Sequence, residues 1–293
     1  MALERIERID LDNYRAFDGE MSFRFVGPLT IIHGLNASGK SSVIRSIIDA
    51  LTTDEGGQQC VEMNRRNNAG ACSMVDLQFY SAGELFRIKK RFIPNHTATS
   101  EFFPWGNTRV NQPIFFGINA TRCTLALSLP LTHFAKYRRG SNQHRGAICS
   151  TLLGDFISPA AIQEMQQLLS GWLVRIFPFE VGSRPVLDRT GRLTHLIRGD
   201  DANENVNRLS SGLIEGLRHL HRMAEAIVAA NRCGFSRVVL FDDPIPNTNV
   251  LDEATGDRFM LLMSEVGDRE NMQFIVTSNR CNPVGAATFI HLR

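Results

Sequence analysis

The 293-residue sequence contains no long apolar run, and this absence already narrows the kind of protein it encodes. No stretch approaches the ~20 consecutive apolar residues that a membrane-spanning helix requires. The N-terminal segment carries charge within its first five residues and has no apolar signal-peptide core. We therefore expect a cytoplasmic protein that does not act at a membrane.

Paired cysteines are also missing. No two of the six cysteines form a CxxC pair, and their spacing is irregular: Cys60, Cys72, Cys123, Cys149, Cys233 and Cys281. Structural zinc sites are built from closely spaced ligand pairs, so this pattern argues against one. A chain of this length buries about three quarters of its unfolded surface without needing disulfides or metals. We expect reduced, mostly buried thiols.

The sequence also lacks an excess of charge of one sign. The 32 lysines and arginines nearly balance the 30 acidic residues, which leaves a formal net charge of +2. Contact with nucleic acid would therefore depend on local basic patches. The candidates are Lys89 to Arg91, Arg65-Arg66 and the stretch from Lys136 to Arg145. Ordinary solvated surface is an equally good interpretation of these patches.

Apolar periodicity predicts strands that alternate with helices, which favours a partly parallel α/β core. Helices are expected after Lys40, after Pro159, from Ser211 to Cys233, and over about 252–266. Strands are expected at 3–12, 22–33, 75–79, 85–92, 185–197 (a hairpin), 238–241, 274–276 and 288–290. Residues 94–115 look irregular, residues 125–153 mainly helical, and residues 200–207 polar and mobile.

The strongest motif is a glycine-rich loop between a predicted strand and a predicted helix. It matches GxxxxGK[ST] at every fixed position, a pattern typical of phosphate-binding loops. Its main-chain amides would converge on phosphate oxygens, Lys40 would neutralise the β and γ phosphates, and Ser41 would bind Mg²⁺. The ATP-binding residues predicted here are Gly34, Asn36, Ala37, Ser38, Gly39, Lys40, Ser41 and Ser42.

A second motif places two carboxylates at the end of an apolar strand. Asp242 and Asp243 directly follow the four apolar residues 238–241. Asp242 is the predicted partner of Mg²⁺, and Asp243 is predicted to face the attacking water. A simple turn before Pro244 would explain these residues only if the phosphate loop were absent.

A third motif begins the long helix that leads toward the acidic strand. The residues are Leu209, Ser210, Ser211 and Gly212. A serine at a helix start caps free amides and forms an anion site, although by itself it is only a helix cap.

In this order the three motifs resemble those of ABC-type ATPases, and in particular the SMC and RecF branch, whose signature is often LSSG. The opening Leu11-Asp12-Asn13-Tyr14-Arg15-Ala16-Phe17 also resembles that branch's N-terminal strand motif. The resemblance covers roughly residues 3–52 and 205–280. It implies an α/β P-loop NTPase head with a mixed sheet core, an antiparallel β subdomain and a helical lobe.

The resemblance further implies a single head over residues 1–293 that works as a head-to-tail homodimer. Residues 1–154 would form the N-terminal lobe, 155–205 a short insertion in place of the family's coiled coil, and 206–293 the C-terminal lobe. ATP on the phosphate loop of one copy would be covered by Leu209, Ser210, Ser211 and Gly212 of the other, with Arg15 near the nucleotide.

The sequence departs from the family at residues that hydrolyse ATP. Asp243 stands where a glutamate is usual, and Thr277 is followed by Ser278 where the switch histidine is expected. Lys40, Asp243 and Ser278 are nonetheless the predicted catalytic set. No glutamine between the lobes is securely placed. Because a general base contributes ~10²–10⁴-fold, these changes predict slow hydrolysis with intact ATP binding.

Three functions follow from these observations. The first is an ATPase that dimerises on ATP and acts in DNA maintenance or in defence against foreign DNA. The second is an ATP-gated scaffold that controls a protein effector such as a nuclease or toxin. The third, the ATPase subunit of a membrane transporter, is disfavoured by the missing histidine and glutamine. The expected cofactors are ATP and Mg²⁺, and the expected partners are a second copy, a protein effector and DNA.

Overall fold

The computed structural model describes residues 3–51, 72–93, 99–104, 158–199, 202–242, 252–279 and 287–292. The helices in these ranges are α1 (Lys40–Leu51), α2 (Pro159–Ile176), α3 (Ser211–Cys233) and α4 (Glu253–Glu270). The first six strands are β1 (Arg5–Asp12), β2 (Glu20–Arg24), β3 (Leu29–Gly34), β4 (Ser73–Ser81), β5 (Glu84–Phe92) and β6 (Thr99–Pro104). The others are β7 (Arg184–Leu187), β8 (Leu193–Arg198), β9 (Ala202–Asn205), β10 (Val238–Phe241), β11 (Gln273–Ser278) and β12 (Thr288–Leu292).

The apolar runs predicted as buried strands form one parallel sheet, in the order β10-β11-β3-β12. Every residue of β10 and β11 is buried, as expected for parallel strands that are covered on both faces. Because all four strands are parallel, their carboxyl ends meet at one edge. That edge carries Gly34 of the glycine-rich loop, Asp242 of the acidic motif, and Ser278, which was predicted to be catalytic.

Each face of this sheet has its own apolar core. One core joins Ile31, Val239 and Val276 to helices α2, α3 and α4. The other joins Ile32 and Ile275 to helix α1 and to the antiparallel sheet described next. Helix α1, which follows the glycine-rich loop, therefore lies on the opposite face from α3. This separation matters for the functional site.

A five-stranded antiparallel sheet covers α1 in the order β2-β1-β4-β5-β6. The predicted hairpin around residues 81–83 is confirmed as β4 and β5. The expectation that 94–115 is irregular is wrong for Thr99–Pro104, which pairs with β5 as β6. Hydrogen bonds to a distant strand order this segment, and its local composition does not reveal them.

A small sheet, β7-β8-β9, lies between α2 and α3 in the chain. Its first two strands confirm the hairpin predicted over residues 185–197. Residues 202–205 were expected to be mobile, but they form β9 and pair with β8, for example Glu204 with Leu196. A 3-10 turn, Val206–Arg208, then leads into α3. The polar composition of residues 202–205 suggested a mobile segment, but an edge strand also needs few apolar side chains.

The basic run at Lys89 to Arg91 does not form one patch. Side chains alternate along a strand, so Lys90 points inward, is 1% exposed and donates to the Asp49 carbonyl at 2.9 Å. Lys89 and Arg91 face outward on β5, where Lys89 is paired across the sheet with Asp76. The other predicted basic patches, and the predicted helical region 125–153, lie outside the described residues.

Helix boundaries follow local capping chemistry. Ser158, Ser210 and Asp252 each accept a hydrogen bond from a main-chain amide three residues later, at the starts of α2, α3 and α4. Gly234 ends α3 in the left-handed conformation with φ 64°, as the sequence predicted, and Asn271 does the same after α4.

Other expectations concern metals, thiols and membranes. Mostly buried thiols were expected, but of the two cysteines that the structure describes, Cys72 is exposed and Cys233 half-buried. Within the described ranges no group of three histidine, cysteine, aspartate or glutamate side chains is arranged to hold a metal. No helix in this part of the chain is both long and apolar enough to cross a bilayer.

Candidate nucleotide-binding site

The glycine-rich loop lies where β3 ends and α1 begins, at the carboxyl edge of the parallel sheet. A Cβ atom added to Gly34 would lie 2.5 Å from the Ser38 hydroxyl oxygen and 2.7 Å from the Leu292 carbonyl oxygen. Ala37 and Gly39 have positive φ angles of 67° and 99°. The loop therefore needs glycine at Gly34, where a side chain would clash, and at Gly39, where φ is positive. The backbone of the loop forms a tight curl.

Lys40 bridges the loop. Its ammonium group donates to the carbonyl oxygens of Gly34 at 2.8 Å and Leu35 at 2.7 Å, and the residue is only 8% exposed. The lysine therefore holds its charge within the curled loop, and its predicted contact with phosphates stays a prediction. The Ser38 hydroxyl is buried and has no hydrogen-bond partner among the described residues. A phosphate oxygen would satisfy that hydroxyl, so the loop fits a phosphate group.

The second motif meets the first through one carboxylate oxygen. Asp242 Oδ1 accepts a 2.9 Å hydrogen bond from the Ser41 hydroxyl and a 2.8 Å hydrogen bond from the Thr277 hydroxyl. The sequence predicted that Ser41 and Asp242 would bind the same Mg²⁺, with Asp242 at the end of a strand close to the loop. In the structure β11 lies between β10 and β3, and its residue Thr277 provides the link. Sequence reasoning did not assign a role to Thr277.

This arrangement fits a magnesium ion. Hydroxyl and carboxylate oxygens are the ligands that Mg²⁺ prefers, and it usually takes one or two protein ligands together with water and phosphate oxygens. Ser41 and Asp242 supply such a pair at the mouth of the loop, where Ser41 is exposed and Asp242 half-exposed. Thr277 would orient the carboxylate from behind.

The loop between β1 and β2 packs against the phosphate loop from the other side. A Cβ atom on Gly39 would meet the Phe17 ring at 2.8 Å and the Ala16 Cβ at 3.2 Å. Phe17 is buried, while Arg15, two residues earlier, is half-buried and has a positive φ of 50°. Arg15 therefore belongs to a segment that contacts the loop, and its predicted place near the nucleotide stays a prediction. The role of Phe17 was not predicted.

The serine-glycine motif begins α3. Leu209 is buried in the core with α2 and α4, while Ser210 and Ser211 are exposed and Gly212 is half-exposed. Ser210 caps the helix by accepting from the Leu213 amide at 3.4 Å. Among the described residues, α3 packs on one face of the parallel sheet and α1 on the other, so the serine-glycine motif and the helix that follows the phosphate loop belong to different faces.

The first turns of α3 carry an acidic side chain that is poorly solvated. Burial raises the pKa of Glu215, and the charge of Arg218, at 2.7 Å, lowers it in part. The ring of His219 also lies beside Glu215 and contacts the ring of Phe241 edge-on, with centroids 5.6 Å apart. Phe241 directly precedes Asp242, so the serine-glycine helix touches the strand that carries the predicted metal ligand.

The remaining predicted catalytic residues differ in how they are placed. Asp243 lies outside the described residues. Ser278 ends β11 and is 3% exposed, and the strand alternation turns it away from the face on which Thr277 meets Asp242. Asn279 follows, half-exposed, and its side-chain oxygen Oδ1 is buried without a hydrogen-bond partner among the described residues. That acceptor lies at the same sheet edge and was not predicted.

Comparison with known proteins supports this reading of the motifs. The model of an AAA domain family matches residues 8–93, which include the phosphate loop. No curated protein sequence matches the chain.

Solved structures resemble the chain over nearly its whole length. An SMC head bound to the C-winged helix domain of ScpA has a TM-score of 0.65 and 18% identity, covering 94% of this chain and 90% of its own. An SMC head with an extended coiled coil from Pyrococcus furiosus, bound to the C-terminal domain of ScpA, has a TM-score of 0.61 and 13% identity, covering 94% and 89%. An SMC head domain from Thermotoga maritima has a TM-score of 0.53 and 16% identity, with the same coverage.

The parallel sheet, the phosphate loop at its carboxyl edge and these likenesses together give one conclusion. The chain has the P-loop NTPase fold of an SMC-like ATPase head.

Proposed function

We propose that this chain binds ATP with Mg²⁺, forms a head-to-tail homodimer around the nucleotide, and hydrolyses it slowly. The site comprises the loop residues from Gly34 to Ser42, with Asp242 as the second metal ligand and Arg15 beside the phosphates. The serine-glycine motif of a second copy covers the nucleotide.

One contact carries this proposal. Ser41 and Asp242 are 201 positions apart in sequence, yet their side chains lie 2.9 Å apart at the mouth of the loop. A chance turn after β10 would not aim its carboxylate at the hydroxyl predicted to bind the same metal. The convergence of two independently identified motifs on one point supports a Mg²⁺-dependent nucleotide site.

In this site the protein's work is positioning and charge compensation. Main-chain amides of residues 35–40 and the start of α1 would face the phosphates, while Lys40 would neutralise their β and γ oxygens. The bound metal would neutralise further charge as it builds on the phosphate oxygens. Ser38 would donate its buried hydroxyl to a phosphate oxygen.

The arrangement of α3 supports dimerisation. Ser210 and Ser211 are exposed at the start of α3, yet they belong to the sheet face opposite α1. A helix N-terminus with this chemistry binds anions. A second copy, turned so that its serine-glycine motif faces the loop, would bring the two half-sites together.

The biological setting proposed is DNA maintenance or defence against foreign DNA. It rests on the likeness to SMC heads. Two of those heads are bound to domains of ScpA, which supports a protein partner for this chain as well.

A second candidate function is an ATP-gated scaffold with little hydrolysis that controls a protein effector. The described end of β11 favours it, because Thr277, Ser278 and Asn279 provide no imidazole there. Changing Asp243 to Glu distinguishes the two functions. A large gain in turnover supports the scaffold, whereas robust wild-type turnover argues against it.

The direct test uses Lys40→Ala with Lys89→Ala as a matched control, since Lys89 lies on the outer face of the antiparallel sheet. ATP binding with and without Mg²⁺ is measured by calorimetry, and mass in solution by light scattering. We expect Lys40→Ala to lose both ATP binding and the ATP-dependent dimer, and Lys89→Ala to keep both. Unchanged ATP binding in Lys40→Ala would show that the loop is not the nucleotide site.

A further inference from the structure

Two large apolar side chains project from the turn between α2 and β7. Phe179 and Val181 are each 74% exposed, and Glu180 between them is 2% exposed. We call Phe179 and Val181 the apolar tip. Single exposed apolar residues are ordinary, whereas neighbouring ones form a contiguous apolar surface of the kind that marks interaction sites.

The turn that carries the apolar tip is stabilised by an ion pair. Glu180 accepts hydrogen bonds from Arg198 of β8 through both of its oxygens, and from the Ser183 hydroxyl at 2.6 Å. Burial opposes ionisation of Glu180, but the hydrogen bonds from Arg198 and Ser183 outweigh it and lower the pKa of Glu180 below its ordinary value. The apolar tip therefore lies on an ordered turn, which Glu180 ties to Arg198 and Ser183.

Arg198 and Phe177 also connect the apolar tip to the serine-glycine motif. Arg198 also donates to Glu204 of β9 at 2.7 Å, and β9 leads through one 3-10 turn into that motif. From the other side, the Phe177 ring contacts the Phe179 ring edge-on and packs on Gly216 of α3, where an added Cβ would lie 2.3 Å from it. Gly216 follows Gly212 of the motif by about one helical turn.

We propose that the apolar tip is part of the surface that meets a second copy of this chain when ATP is bound. This inference rests on the proposed function, which turns the serine-glycine motif toward the partner's phosphate loop. The phosphate loop itself carries a matching group, because its residue Leu35 is 82% exposed. An exposed apolar side chain thus lies in the phosphate loop, and the apolar tip is linked to the serine-glycine motif that dimerisation brings toward that loop.

The test is the double variant Phe179→Ser with Val181→Ser, studied in the full chain. The matched control is Val26→Ser, since Val26 is 58% exposed and lies at the amino end of β3, away from the loop. Dimerisation with ATP and Mg²⁺ is followed by analytical ultracentrifugation, and ATP binding by calorimetry. We expect the tip variant to weaken dimerisation at least tenfold, with only the small drop in melting temperature that loss of the Phe177–Phe179 ring contact causes, and Val26→Ser to change neither.

A second measurement places a photo-reactive benzoyl-phenylalanine at position 179. Light should then yield a product of twice the chain mass with ATP and Mg²⁺, and none without nucleotide. Equal dimerisation by the tip variant, or no cross-linked pair, overturns the inference while leaving the proposed function in place. A melting temperature lowered by several degrees in Val181→Ser alone would also overturn it, because that side chain would then pack within its own chain. A wild-type protein that never dimerises on ATP would instead defeat the proposed function.

Discussion

The Tyr14 hydroxyl donates a 2.6 Å hydrogen bond to Asp49 in the buried centre of the N-terminal half. Both residues are fully buried, Tyr14 in the loop after β1 and Asp49 near the end of α1. The residues on either side of Tyr14, Asn13 and Arg15, have positive φ angles of 48° and 50°. Such backbone persists only when its surroundings hold it, and the Tyr14–Asp49 contact is part of that support. It thereby fixes the direction in which Arg15 leaves the loop.

Removing the Tyr14 hydroxyl should lower the affinity for ATP, because Arg15 would lose its fixed orientation. In Tyr14→Phe, Asp49 keeps its ion pair with Arg45 but loses a buried donor, which should lower the free energy of unfolding by about 1–3 kcal/mol. We also expect ATP affinity to fall about threefold or more. The affinity is measured by calorimetry well below the melting temperature.

A double-mutant cycle separates positioning from general destabilisation. If Tyr14 acts by orienting Arg15, then Tyr14→Phe should cause no additional loss of ATP affinity in an Arg15→Ala background. Additive losses of affinity from the two substitutions would contradict this role.

Thr277 should tune the metal site without being a ligand. Thr277→Val keeps the side-chain volume but removes the 2.8 Å hydrogen bond to Asp242. Hydrogen bonds to charged groups are worth about 1.5–3 kcal/mol, so the Mg²⁺ concentration for half-maximal ATP binding should rise by roughly tenfold. Thr277→Ser, which retains the hydroxyl, is the control. Equal Mg²⁺ dependence in all three proteins would remove Thr277 from the site.

Two glycines in helices should respond to alanine with opposite signs. At Gly216, the new Cβ would lie 2.3 Å from the Phe177 ring, and such overpacking costs about 1–3 kcal/mol. At Gly171 in α2, no heavy atom lies within 4 Å of the new Cβ, so Gly171→Ala should stabilise by about 0.5–1 kcal/mol. Urea unfolding measures both. Similar effects at the two positions would show that Phe177 does not pack on α3 as described.

The Glu180–Arg198 pair should make stability depend on acid pH. The folded state lowers the pKa of Glu180, so its stabilisation is complete above the ordinary value of 4.5 and is lost as pH falls through the lower folded value. Glu180→Gln should therefore lose about 1–3 kcal/mol at pH 7, and its difference from the wild type should shrink below about pH 4.

Glu164→Gln is the control for that experiment, because Glu164 forms a partly exposed ion pair with Arg232 at 2.6 Å. Exposed pairs contribute about 0–1 kcal/mol, so this variant should unfold nearly as the wild type does at every pH. A Glu180→Gln variant with the same stability difference at pH 7 and pH 4 would contradict the predicted linkage.

Local chemistry explains which parts of the molecule could be predicted. The phosphate loop, the helix from Lys40, and α3 from Ser211 to its glycine end at Gly234 are specified by neighbouring residues. Glycine conformations, serine caps and apolar periodicity act within a few positions. The strand before Asp242 was also evident, since a fully apolar run is typical of a buried parallel strand.

Predictions from the sequence failed for residues whose structure depends on strands distant along the chain. Strands β6 and β9 consist of polar or mixed residues that become ordered by pairing with β5 and β8. Lys90 belongs to a basic run in the sequence, yet strand alternation buries it against α1. The positions of these residues depend on sheet order, which the sequence pattern does not contain.

By itself, the sequence determined that a curled loop would hold a lysine above its own amides, because every residue required for that curl is adjacent along the chain. Tertiary structure alone decided that the Asp242 carboxylate would meet Ser41 across an intervening strand, and that α3 would cover the other face of the sheet. Parallel pairing of strands far apart in sequence sets those distances, and the strength of that pairing lies in hydrogen bonds and buried surface that form only when the whole sheet assembles.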